Sequence, residues 1–382
     1  MDFAKLALEQ HLAWQGKFEI TSKVALNNKE DLSVAYTPGV AAVCEKIHQD
    51  IKTVYDYTTK ANTIAIVTDG SAVLGLGDIG PEASLPVMEG KAILFKKFGG
   101  VNAVPICLAT KNVEEIIQTI KFIAPGFGGI NLEDISSPRC FEIEAVLINE
   151  LDIPVFHDDQ HGTAIVVLAA LINALKIVKK DPSNLKIVIN GAGAAGIAIA
   201  KLLIDYGFCD IVLCDRKGII HNDLIDLNWI KKEILKVTNR QNLKGSLKEA
   251  LIDADVFIGV SAPNMVTEAM VRSMKKNAII FAMANPVPEI MPELAYNAGA
   301  KVIGTGRSDY PNQINNVLVF PGIFKGVLAV RAPKITTKMK LQSAIAIAEI
   351  ILDTDLKDDY IIPKPFDERV PQRITDVIKR IC

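Results

Sequence analysis

Apolar positions along the chain switch between two periods. Short runs of consecutive apolar and β-branched residues at 63–68 (TIAIVT), 103–108 (AVPICL), 129–132 and 153–156 (IPVF) predict buried strands. Between them, residues 86–98, 112–123 and 138–151 repeat apolar side chains at spacings of three and four, the period of a helix. Strand and helix in alternation predict a parallel α/β sheet. A long apolar helix at 162–178 then meets Lys179-Lys180-Asp181-Pro182, a charged turn with a proline stop. A second alternation comes next, with strand 185–189, helix 194–206, strand 210–214 and later strands at 256–260, 278–283 and 301–303. Beyond 338 lie one apolar helix, SAIAIAEIIL, and a tail holding Pro363, Pro365 and Pro371, expected to pack across the domains or on a partner subunit. The expected class is α/β: two α/β domains over residues 1–160 and 161–335, and a C-terminal helical segment over 336–382.

The length of 382 residues suits two domains, since single domains cluster around ~100–150 residues. Lys and Arg number 42 against 44 Asp and Glu, so the balance offers no footing for nucleic acid and a small-molecule partner is expected. Six cysteines, at 44, 107, 140, 209, 214 and 382, form no CxxC, which argues against a disulfide scaffold or thiolate zinc site and points to a reducing cytoplasm. The apolar stretch at 164–172 is shorter than the ~18 residues needed to cross a bilayer, and the N-terminus lacks the basic start of a signal peptide. Neither export nor membrane anchoring is expected.

Gly191-Ala192-Gly193-Ala194-Ala195-Gly196 matches GxGxxG between a predicted strand and a small-residue helix, which makes residues 161–335 an expected Rossmann-type dinucleotide-binding domain. In that context the glycines give a tight turn, backbone approach to a pyrophosphate and close helix packing, with the helix N-terminus facing the phosphates. Asp215, at the end of the next strand, is placed to accept hydrogen bonds from a ribose diol. The bland alternative is a tight turn in an unrelated α/β protein. A second match, residues 75–80, is rejected: no strand runs directly into it, Pro81 comes next, and the following helix is expected several residues on. Asp215 favours NAD over NADP, while Arg216 and Lys217 beside it suit a 2′-phosphate, so dual use stays open.

Ligands of open parallel sheets bind beyond the carboxyl ends of the strands. That rule gathers Asp69, Glu133, Asp134, Asp158 and Asp159 on one rim. Packed together, such acids repel and raise one another's pKa, whereas a hard divalent ion such as Mg²⁺ or Mn²⁺ is stabilised by their oxygens. Alternatively some cap helices or face water, as Asp134 precedes Ser136 and Pro138 and Asp159 precedes the helix at 162. His157 and His161 have the spacing of a zincin helix but lack its glutamate, and capping or supporting roles are expected of both. Lys91 lies in an otherwise apolar segment; near a cation and partly desolvated it would have a lowered pKa and serve as general base, although most lysines are simply solvated. Tyr36 sits before a Pro-Gly turn, where a structural tyrosine is the commoner case.

Taken together these segments resemble the malic enzyme family. The similarity covers Tyr36-Thr37-Pro38-Gly39-Val40-Ala41, Thr68-Asp69-Gly70 through Leu74 to Asp78, Glu89-Gly90-Lys91, Asn131-Leu132-Glu133-Asp134 and residues 157–164. It continues through the glycine turn, Ala284-Asn285-Pro286 and residues 315–322, in the family's order, from about residue 20 to 330. The resemblance implies oxidative decarboxylation of (S)-malate to pyruvate and CO₂ with NAD(P)⁺. It implies Glu133, Asp134 and Asp159 as ligands of Mg²⁺ or Mn²⁺, with Asp158 behind them, Lys91 as base toward the C2 hydroxyl and Tyr36 as the acid that protonates C3. Asn285, Asn315 and Asn316 are implied to orient the substrate, with Asn285 also facing the cofactor. The arginine that comes after the TDG motif in longer eukaryotic members is replaced by Ser71 and its neighbours, which resembles the short bacterial branch and leaves the carboxylate anchor open. The phosphotransacetylase-like extension of some bacterial members is not expected. A homodimer or larger assembly is implied, in which the tyrosine loop reaches the neighbouring subunit's site. A malolactic enzyme, converting malate to lactate, and a non-catalytic NAD-binding regulator remain the alternatives.

Overall fold

A computed structural model describes residues 3–73 and 75–382, so that Leu74 of the glycine-rich loop lies outside the described residues. Among these, the longer strands form two sheets. The first contains β1 (Thr63–Thr68), β2 (Asn102–Cys107), β3 (Gly129–Leu132) and β4 (Val155–His157), in the order β2-β1-β3-β4 and parallel throughout. Every residue of β1 and β3 is buried, which is why they read as continuous apolar runs rather than alternating ones. The second contains β5 (Lys186–Asn190), β6 (Asp210–Asp215), β7 (Gly218–Ile219), β8 (Val256–Gly259), β9 (Ile279–Ala282) and β10 (Val302–Thr305). Its order is β10-β9-β8-β5-β6-β7, parallel except for the antiparallel edge strand β7, which is too short to leave a period in the sequence. The chain order reverses between β5 and β8, the switch point of a Rossmann sheet, where ligands bind.

Helix Thr163–Val178 is buried on nearly every side and packs against helices Ala194–Tyr206 and Thr337–Ala348. With the wide turn Asp158–Gly162 that precedes it, this run is longer than the apolar stretch read from the sequence. It is the one helix among the described residues long and apolar enough to cross a bilayer. Its burial inside the protein identifies it as a core helix, which is apolar all round because protein surrounds it.

Two helices differ from expectation. The first starts at Pro81, not Pro86, and runs to Leu94; a proline at the first helical position lacks only an N–H that has no helical partner there. The decoy loop at 75–80 therefore leads straight into a helix, with none of the expected gap between them. It still makes no dinucleotide turn, because the sheet strand before it, β1, ends at Thr68 and does not run directly into it. In the proline-rich tail, Arg369–Ile381 is helical, with Pro371 tolerated in the first turn. This helix packs on helix Phe320–Ala329 over Gly322 and Gly326, where an added Cβ would come within 3.0 and 2.8 Å of it. Phe320 and Phe324 in turn pack on Phe95, tilted and edge-on, at ring separations of 4.6 and 5.5 Å, joining the C-terminal layer to the first sheet's helix.

The N-terminal helices Phe3–Trp14, Lys29–Ala35 and Val40–Gln49 contain no buried residue. Leu8, Leu12, Ile20 and Val34 are all exposed within this region.

Candidate active site

Adjacent parallel strands β3 and β4 end side by side, with Leu132 opposite His157, so the residues just beyond them are brought together. Glu133 and Asp134 come off β3; Asp158 and Asp159 come off β4 in the turn Asp158–Gly162. Glu133, Asp134 and Asp159 each offer an oxygen within 4.8 Å of the others. Asp159 Oδ2 accepts the Asp134 N–H at 2.9 Å, and Asp134 takes a left-handed φ of 53° to face it. The turn is tight around Asp158: a Cβ at Gly162 would fall 1.9 Å from Asp158 Oδ1. From helix Pro81–Leu94, Lys91 reaches Glu133 at 2.8 Å and Asp158 at 2.5 Å, with its ammonium 4.3 Å from the Phe320 ring centre. The Asn316 amide donates to Asp158 Oδ2 at 2.6 Å.

Four carboxylates here face one ammonium. Burial alone would lower the pKa of Lys91, but Asp158 and Glu133 outweigh it and hold the amine protonated. The chain's own acids thus act on Lys91 in the sense opposite to a bound cation, the condition under which a lowered value is expected. The carboxylates left in excess are pushed the other way: burial, then Asp159 and Glu133, raise Asp134 to about 9. Burial likewise raises Asp158 to about 8 despite the pull of Lys91. Glu133 and Asp159 also rise, chiefly through burial. Asp134 Oδ2 is buried with no hydrogen-bond partner among the described residues. A cluster of hard oxygens with surplus negative charge and an orphaned lone pair fits a divalent cation of the Mg²⁺ or Mn²⁺ type.

The fifth acid of the predicted rim is diverted. Asp69 is paired at 2.8 Å with Arg139, whose other nitrogen donates to Ser71 Oγ and Ser136 Oγ at 2.9 Å each. Asp69 and Ser71 thus serve the loop, and Arg139, which no sequence motif marks, neutralises an acid that the strand-end rule had placed in the cluster. Glu144 carries no motif either. It accepts the His157 N–H at 2.9 Å and faces His161 Nε2 at 2.9 Å, bracing both ends of the turn that carries Asp158 and Asp159. Burial pushes the Glu144 carboxyl up, but His161 and its other neighbours bring it down to about 2. The supporting role expected of the two histidines is how His161 is used.

A cleft of about 350 Å³ lies between the two sheets. Lys91, Glu133, Asp134 and Asp159 line one wall; Ala195, Ser261, Asn285, Asn315 and Asn316 line the other. The glycine turn comes directly after β5 as expected, and an added Cβ at Gly196 would fall 1.7 Å from the Gly191 carbonyl oxygen, so the helix can approach the turn only with glycine there. At Gly193 a Cβ would meet nothing within 4 Å, so the turn is open at that position. Asn315 Oδ1 accepts the Val317 N–H at 2.9 Å and so caps the turn Asn316–Leu318.

At the end of β6, Asp215 is engaged on both oxygens: Oδ1 accepts the Lys217 N–H at 2.8 Å and Oδ2 lies 2.5 Å from Lys231 Nζ. Arg216 and Lys217 are exposed beside it. Lys231, sixteen positions on, lies in no motif that would flag it. Tyr36 is 67% exposed and is absent from the described residues that line the cleft.

The family described as malic enzyme, N-terminal domain, matches residues 15–148, and that described as malic enzyme, NAD binding domain, matches residues 160–371. The chain is 57% identical, over all its length and 93% of the relative's, to a bifunctional malic/malolactic enzyme of Bacillus subtilis. It is also 57% identical to an NAD-dependent malic enzyme of Geobacillus stearothermophilus, over 95% of this chain and 76% of the relative. The crystal structure of an NAD-dependent malic enzyme from Thermotoga maritima superposes with a TM-score of 0.95 at 49% identity, covering 98% of each chain.

Proposed function

The chain belongs to the malic enzyme family, and on that premise we propose that it oxidises (S)-malate and releases CO₂ to give pyruvate, with reduction of NAD(P)⁺. The observation that carries this reading is one cleft with an acid cluster and a buried lysine on one wall and the end of a glycine-turn sheet on the other. Residues 1–160 then supply the metal and substrate wall, 161–335 the cofactor wall, and 336–382 the packing layer behind them.

Glu133, Asp134 and Asp159 would hold Mg²⁺ or Mn²⁺. Bound NAD(P)⁺ supplies a hydride acceptor for malate C2, and a bound divalent cation supplies Lewis acidity toward the carbonyl that results. Lys91 Nζ takes the C2 hydroxyl proton. To do so it must first give up a proton, and the Asp158 carboxylate, 2.5 Å away, is the acceptor within reach. Asn316 holds the Asp158 carboxylate in place for that exchange. Asn285 and Asn315 orient the substrate's carboxylate oxygens in the cleft. When the C4 carboxylate leaves as CO₂, the electron pair stays on C3 and Tyr36 returns a proton there, giving pyruvate.

Tyr36 stands outside the cleft of its own chain, which supports a homodimer in which each tyrosine loop serves the partner's site. The exposed apolar side chains of residues 3–57 supply a surface for that contact. The six unpaired cysteines support a reducing, cytoplasmic location. Asp215 and the NAD-dependent relatives favour NAD, with Lys231 and Arg216 admitting NADP. A malolactic side activity is favoured by the 57% identity to the bifunctional Bacillus subtilis enzyme. Incubation with malate and Mn²⁺, run side by side with NAD⁺ and NADP⁺, tests the whole reading. Pyruvate and reduced cofactor in equal amounts are expected, and lactate formed without any reduced cofactor would replace the malic reading with the malolactic one.

A further inference from the structure

One buried carboxylate is used by none of these steps. Glu289 is fully buried, and no lysine, arginine or histidine pairs with it among the described residues. Its two oxygens are instead divided between the two loops that form the cofactor wall. Oε1 accepts the Ser261 N–H at 2.9 Å, just past β8, and Oε2 accepts the Ala284 N–H at 3.0 Å, just past β9. The Glu289 carbonyl takes a third amide, that of Val266, at 3.0 Å. Ser261 Oγ passes the connection on, accepting from Asn190 at 2.7 Å, so the ends of β5, β8 and β9 are linked through the side chains of Glu289 and Ser261. Space for it exists because residue 259 is glycine: a Cβ there would lie 2.4 Å from Glu289 Cδ.

A carboxylate is the one side chain that can accept from two amides at once with no donor of its own to misplace. Ser261, Ala284 and Asn285 all border the cleft opposite Lys91. Asp215 and Lys231 lie at the end of β6, on the other side of β5. We propose that Glu289 is a positioning residue for the nicotinamide half of the cofactor, holding the loops after β8 and β9 at the separation that the ring requires. The adenosine half, bound beyond β6, is set without it. This rests on the cofactor placement proposed above.

The test is direct binding of NADH, monitored by its fluorescence, and of ADP-ribose, which lacks nicotinamide, to the wild type and to Glu289→Gln. The glutamine can accept one amide but turns a donor toward the other. NADH affinity is expected to weaken roughly tenfold, as for a lost hydrogen bond to a charged acceptor, with ADP-ribose affinity changed less than about twofold. Equal losses for both ligands, or no loss for either, would overturn the proposal. Should Glu289→Gln fail to fold by circular dichroism, Glu289→Asp, one methylene too short to span both amides, is read by the same ratio. A wild-type protein that binds neither ligand would instead overturn the cofactor reading itself, and this inference with it.

Discussion

The two sheets end in opposite chemistry. At the carboxyl ends of β3 and β4 the chain places Glu133, Asp134, Asp158 and Asp159, charged and crowded, with Lys91 among them. At the carboxyl ends of β5, β8 and β9 it places the glycine turn, Ser261 and Asn285, all uncharged, and its one acid there, Glu289, is turned inward onto backbone amides. Both rims are parallel strand ends facing one cleft, so topology sets where each site lies. The residues just beyond each strand set which ligand it binds. Surplus buried charge calls for a cation; open backbone with a helix N-terminus calls for a phosphate.

If the rims are separate in this sense, disabling one should spare the other. Asp159→Asn removes a charge from the acid cluster while keeping its shape. Turnover with malate should fall by on the order of 10³-fold, and Mn²⁺ binding measured by calorimetry should be lost. NADH binding should stay within about twofold of wild type. A variant that loses NADH affinity together with Mn²⁺ would show that the rims are one coupled unit.

The next effect sharpens the electrostatic side of the contrast. Asp134 is raised from 3.8 to about 9, so the folded state holds that proton more tightly than the unfolded chain does. The stabilisation this provides is complete below about pH 4 and is lost as pH rises through about 9. With divalent ions removed by a chelator, the Tm of the wild type should therefore fall more steeply between pH 6 and about 9 than that of Asp134→Asn, in which the titration is absent. Added Mn²⁺ should raise the wild-type Tm more at the alkaline end, where the carboxylates are free to bind it. Parallel Tm profiles for the two proteins would remove Asp134 as the source of the strain.

The same contrast explains how much of the molecule is legible in its sequence. Strands at 63–68 and 129–132 and the helix at 194–206 match the structure residue for residue, because each is an apolar run closed by polar or glycine residues. The glycine turn is legible because its chemistry is local. The acid rim is legible as strand ends, but its membership is not: Asp69 sits at such an end and is claimed by Arg139, seventy positions later. Lys231, Glu144 and Glu289 escape the sequence for the same reason, since each acts on a partner brought near only by folding. The direction of the Lys91 pKa escapes the sequence too, because the acids that raise it, Asp158 and Glu133, follow strands that only folding brings beside it. Helix Arg369–Ile381 is hidden by a proline that only its first turn tolerates.

The smallest expected effect lies at the edge of the uncharged rim, where it stops being uncharged. Asp215 is partly neutralised by Lys231 at 2.5 Å, and Arg216 and Lys217 stand next to it. In Lys231→Ala the Asp215 charge is unmasked, which leaves the 2′-hydroxyl of NAD⁺ well served and repels the 2′-phosphate of NADP⁺. The ratio of kcat/KM for NAD⁺ over NADP⁺ should rise, by roughly tenfold at low salt and less at high salt, since the pair is partly exposed. Asp215→Ala should move the ratio the opposite way by a similar factor. Because the two residues act through one contact, the double variant should fall short of the sum of the single shifts. Ratios unchanged in both single variants would mean that cofactor choice is made elsewhere on the second sheet, and that this rim is as uncharged in its function as the strands behind it.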